Sequence, residues 1–151
     1  MWHTILITLH AATGTIALLA GLLAHRARAL FRTYLWSLVA SVAFLAAAVA
    51  QEWGRLCGLA RALFGAFVVL GLVMVWLALA ARRLPAGSPR YVDLVGFTLV
   101  ALFDAFVVIT VLNGGAPIAL VVASGLVVAV AGHFVLRAAK TRATERTLVQ
   151  P

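Results

Sequence analysis

Residues 60–83 read ARALFGAFVVLGLVMVWLALAARR, and the twenty positions between Arg61 and Arg82 carry no charge. At 1.5 Å per residue a helix of that length covers ~30 Å, the thickness of a bilayer's hydrocarbon core. Such a run is too long and too apolar for a surface helix of a water-soluble domain. It reads as a transmembrane span, closed at one end by Arg82 and Arg83.

The same pattern repeats outward in both directions. A first span covers about 4–24 and ends at the basic stretch His25-Arg26-Ala27-Arg28-Ala29-Leu30-Phe31-Arg32. A second covers about 35–51, followed by a turn over residues 52–58, and the opening stretch supplies the third, 60–80. Pro85, Gly87 and Pro89 mark the longest break. A fourth span, 94–113, runs into Asn113-Gly114-Gly115-Ala116-Pro117, a tight turn whose proline is placed to start a helix, and a fifth covers 117–136. The expected fold class is all-α, an integral membrane bundle of five transmembrane helices. Residues 1–136 are expected to form one transmembrane domain, and 137–151 a basic cytoplasmic tail that frays after one or two turns. Span two is the shortest. Were it re-entrant, the arginine-rich loops would fall on opposite sides of the membrane, which argues for a full crossing.

Composition agrees: 65% of the 151 residues are hydrophobic and 11% charged, outside the range of soluble domains. The net charge of +8 would suggest nucleic acid in a soluble protein. Here eleven of the twelve basic residues are arginines gathered at helix ends, with no continuous basic face, so no nucleic-acid partner is expected. Three arginines follow span one, three follow span three, and the tail holds three more plus Lys140; the other side has Arg55 and Arg61. That excess places the N-terminus outside and the C-terminus inside. Trp2 and Trp53 then fall at the outer interface, and Tyr34, Trp36, Trp76 and Tyr91 near the inner one. The N-terminal residues lack the basic region of a cleaved signal, so the first span is expected to be retained. The single cysteine, Cys57, has no partner for an internal disulfide and reads as a small apolar filler.

Few residues inside the spans bear chemistry. His10, Gly14, Ala17 and Gly21 are spaced by four, three and four, forming one stripe on span one that lets a neighbouring helix approach closely and turns His10 into the bundle. Asp104 lies near the middle of span four, where a carboxylate costs about 2.5–3.5 kcal/mol on insertion scales. Depth arithmetic puts His10 ~9 Å and Asp104 ~15 Å below the outer edge, so the expected partner of Asp104 is His10 or the hydroxyl of Thr13. His133 lies a turn from the inner end of span five, and its depth differs from that of His10 by ~16 Å, which excludes a bis-histidine haem between the two. No ligand spacing indicates a metal; His10 is the first residue to test as a cofactor ligand.

Residues Leu9 to Gly21, LHAATGTIALLAG, resemble the first helix of a family of uncharacterised bacterial multi-pass membrane proteins, in which a His is followed by a Gly four residues on, an apolar run and a second Gly. That family continues with a basic loop of the form H-R-x-x-G-R-x-Y. His25, Arg26, Arg32 and Tyr34 look like a stretched version, with two extra residues and Phe31 in place of the glycine. The resemblance covers about the first fifty residues. It implies a multi-pass topology in a bacterial cytoplasmic membrane and draws attention to His10, with no activity attached.

The functional expectation is a small membrane protein without an evident catalytic site, an accessory or structural subunit in contact with the bilayer and with other membrane subunits. The first alternative is a redox-linked subunit binding haem or quinone through His10. The second is a proton-coupled small-solute transporter using Asp104.

Overall fold

A computed structural model describes residues 2–149. They form five helices, α1 (Trp2–Leu22), α2 (Arg28–Glu52), α3 (Gly58–Ala81), α4 (Pro89–Asn113) and α5 (Ile118–Val149), with no strand among the described residues. All five are long and apolar enough to cross a membrane. In hydrocarbon a backbone must satisfy its own polar groups, and a continuous helix does so within one segment. Large apolar side chains stand exposed on every helix, among them Leu19, Trp36, Leu72, Phe106 and Val127, a surface that water would not tolerate and lipid does. The chain is an all-α, multi-pass membrane protein.

Two compact units divide the chain, Met1–Leu79 and Ala80–Pro151. In the first, α1 packs on α2. The buried face of α2 carries Phe31, Tyr34, Leu35, Leu38, Ser41, Val42, Ala48 and Val49, a stripe at helical period. From α1 it receives Ala17, Ala20 and Gly21, small residues that let the backbones close up, as the stripe on span one leads one to expect. Phe31 and Tyr34 stack at a tilt with ring centroids 5.7 Å apart. On α3, Gly71 is buried, and a Cβ there would stand 2.9 Å from Cγ2 of Val42.

In the second unit α4 and α5 form an antiparallel pair. Ser88 caps α4 by accepting from the Tyr91 N–H at 3.3 Å, with Pro89 opening the helix. Gly115, at φ 75°, supplies the left-handed turn between the helices. Gly96 lies against Leu136, Val100 against Gly132, and Asp104 with Val108 against Gly125. Positions four apart on α4 thus meet glycines or a leucine on α5, a row of close approaches along both axes. Beyond this row Lys140 pairs with Asp93.

The helices overrun their expected ends. The second begins at Arg28 rather than 35, so Arg28 and Arg32 are helical, their long stems able to carry the charge back to the interface. The fourth begins at Pro89 rather than 94. The tail expected to fray is helical to Val149, because its Ala, Arg, Lys and Glu are all good helix formers. Tyr34 and Tyr91, near the starts of α2 and α4, are buried within their own units, whereas Trp2, Trp36 and Trp76 are exposed.

Candidate functional site

The chemistry-bearing residues collect at two places, one in each unit. In the first, His10 is half-buried on α1 and its Nδ1 lies 2.9 Å from the carbonyl oxygen of Ser41 on α2. The Ser41 hydroxyl is 3.0 Å from the same nitrogen and 3.0 Å from the carbonyl oxygen of His10. One hydrogen arrangement satisfies all three contacts. A carbonyl oxygen only accepts, so Nδ1 carries the hydrogen and shares it between the Ser41 carbonyl and hydroxyl oxygens, while the hydroxyl donates to the His10 carbonyl. The ring is then fixed in orientation and tautomer, and its lone pair sits on Nε2, to which no described residue bonds. Gly14 makes the arrangement feasible, since a Cβ there would stand 3.2 Å from the Ser41 hydroxyl oxygen.

Thr13 is turned to its own helix. Its hydroxyl lies 2.6 Å from the carbonyl oxygen of Leu9 and 3.2 Å from that of His10. Back-bonding of this kind satisfies a hydroxyl in lipid without a neighbouring helix. Thr8 and Thr15 on the same helix do likewise. Within the first unit, then, Thr13 is satisfied by its own helix, and His10 bonds Ser41 through Nδ1, a residue of the next helix that sequence reasoning passed over.

The second place centres on Asp104. Its Oδ1 is shielded from the surface and has no hydrogen-bond partner among the described residues. It lies 3.4 Å from where a Cβ of residue 125 would be, with Oδ2 at 3.9 Å, so the carboxyl fills the notch left by Gly125 on α5. Ser124, next to that glycine, spends its hydroxyl on the carbonyl oxygen of Val121 at 2.8 Å. Asp104 differs in this from the other three acids. Glu52 pairs with Arg55 at 3.5 Å, Asp93 pairs with Lys140, and Glu145 is exposed near the polar end of α5.

The other histidines stand apart from these groups. His3, His25 and His133 are exposed, the last with its ring edge-on to Phe134. Cys57 is exposed between α2 and α3 rather than packed as filler, since the chain there has left the helical face that would bury it. No three of the described His, Cys, Asp and Glu side chains converge as a metal ion would require. The chain matches no protein-family model, no curated protein and no solved structure.

Proposed function

We propose that this chain is an accessory or structural subunit of a bacterial cytoplasmic membrane, with its N-terminus outside, its C-terminus inside, and a partner held through the end of α5. The observation behind this reading is the length of that helix. Its 32 residues extend ~48 Å, against ~30 Å of hydrocarbon. Past Lys140, which pairs with Asp93 on α4, the helix continues for nine residues to Val149, a further ~13 Å. A rigid rod of that kind is suited to hold another protein or domain at the membrane surface. Purification in a mild detergent is expected to bring down a second membrane protein at fixed stoichiometry, lost when residues 141–151 are deleted. A single species in which the intact chain runs alone overturns the proposal.

A second reading is favoured by the His10 ring. Nδ1–H bonding to a backbone carbonyl is the arrangement that leaves Nε2 as a good ligand or proton acceptor, suited to a haem iron or to the hydroxyl of a quinol. The same purified material decides it: a Soret band present in the native chain and absent from His10→Ala supports haem, and its absence removes the haem version.

The orientation has its own test, because Cys57 is exposed and is the single cysteine. A membrane-impermeant maleimide is expected to label it in intact spheroplasts as fully as in lysed ones. Labelling confined to lysed membranes would reverse the topology.

A further inference from the structure

We infer that Asp104, seated against Gly125, is a proton-binding site inside the membrane, open to a group that arrives from outside the α4–α5 pair. The inference is separate from the subunit role proposed above. Asp104 lies three residues past the middle of α4, about 4–5 Å from the centre of the helix. Its Oδ1 is shielded and unpaired, while the residue as a whole is not fully enclosed. A structural acid in lipid is expected to direct both oxygens at donors, as the Ser and Thr hydroxyls direct theirs at helix carbonyls. This one leaves an oxygen unpaired in a notch that a methyl group would begin to fill.

Within the second unit, no charged group among the described residues lies beside it. On α5, residues 119–132 include no titratable side chain, and the nearest is His133, eight residues or ~12 Å along the axis from Gly125. On α4 itself the nearest are Asp93, Tyr91 and Arg90, at the far end of the helix and at least eleven residues away. The second unit thus offers this carboxyl no described cation and Oδ1 no donor, so a negative charge there has nothing beside it to compensate the loss of water.

A lipid-soluble carbodiimide reports the bound proton directly, because it reacts with the neutral acid. The carboxyl oxygen adds to the central carbon of the reagent and the proton goes to one nitrogen, giving an O-acylisourea. The acyl group then migrates to nitrogen, giving a stable N-acylurea. Nothing leaves, so the chain gains the mass of one reagent molecule. In native membranes at about pH 7, dicyclohexylcarbodiimide is expected to modify Asp104 at least tenfold faster than it modifies Glu52, Asp93 or Glu145. A water-soluble carbodiimide is expected to spare it and to modify the acids near the helix ends instead. Asp104→Asn should abolish the lipid-soluble reaction, and Gly125→Ala should slow it several-fold by narrowing the notch. The inference is overturned by failure of Asp104 to react at any pH, by reaction no faster than that of the acids near the helix ends, or by equal reaction with the water-soluble reagent. Each measurement on the native chain is informative even where a variant fails to fold.

Discussion

Gly132→Ala is expected to destabilise the α4–α5 pair by about 1–3 kcal/mol, the cost of forcing a methyl into a packed interface. A Cβ at residue 132 would sit 2.3 Å from Cγ1 and 2.8 Å from Cγ2 of Val100, and 3.2 Å from its Cβ. The first two are separations that real Cβ atoms do not show. Valine on a helix has one strongly preferred χ1, so it cannot swing clear, and the helices themselves must part. Between membrane helices close packing carries much of the association, because lipid is as apolar as the side chains it replaces. Gly96 provides the contrast. A Cβ there would stand 2.1 Å from Cδ2 of Leu136 but 3.4 Å from its Cγ, so the offending atom is the tip of a side chain with other rotamers. Gly96→Ala is accordingly expected to cost less than half as much. Unfolding of the purified chain in mild detergent, titrated with a denaturing one, measures both. Adding Val100→Ala to Gly132→Ala should restore most of the loss. An unchanged midpoint for Gly132→Ala alone would mean that α4 and α5 are not in close contact there.

Asp104→Leu is expected to make insertion of the α4 segment more favourable by about 3 kcal/mol, the difference between aspartate and leucine near the centre of a helix on the insertion scale. Nothing described offsets that cost at Oδ1, which has no hydrogen-bond partner. Leucine branches at Cγ as aspartate does, so its two methyl groups take the places of the carboxyl oxygens beside Gly125. The measurement is glycosylation mapping of residues 89–113 in a host protein, with the flanking apolar residues thinned until the native segment inserts about half the time. Asp104→Asn should give a smaller gain, since an amide still needs partners. A leucine variant that inserts no better than the native segment would show that the acid is compensated within the helix.

The two candidate places were legible to different degrees. The stripe His10, Gly14, Ala17, Gly21 follows from helical spacing alone, and it does form the face of α1 that meets α2. Ser41 carried the same kind of signal as Asp104. It is a polar residue well inside a span, and it sits on the helix joined to α1 by a short loop, the neighbour most often packed antiparallel. Ranking residues by the cost of burial favoured the carboxylate and passed over the hydroxyl. Thr13 illustrates why such ranking misleads: a threonine in a helix has a carbonyl of its own within reach, and proximity in depth to another group decides little.

Helices reach beyond the apolar spans for a related reason. Arginines mark the membrane surface, yet Arg28 and Arg32 lie within α2, and the charged residues from Arg137 to Glu145 continue α5. A charge limits where the hydrocarbon begins, whereas only a cap or a breaker limits the helix, as Ser88 and Pro89 do at the start of α4.

The number of helices and their existence were determined by the sequence alone, since runs of about twenty apolar residues have one way to satisfy their backbone in lipid. What meets what was decided by the tertiary structure. These spans are apolar on nearly every face, so no alternation of polar and apolar residues marks an inner side, and lipid and a neighbouring helix are equally good company for leucine or valine. Fit breaks the tie. A glycine opposite a valine, a serine within 3.0 Å of a histidine ring, and a carboxyl in the notch of Gly125 are matters of tenths of an ångström. Separations that small arise only when the helices pack.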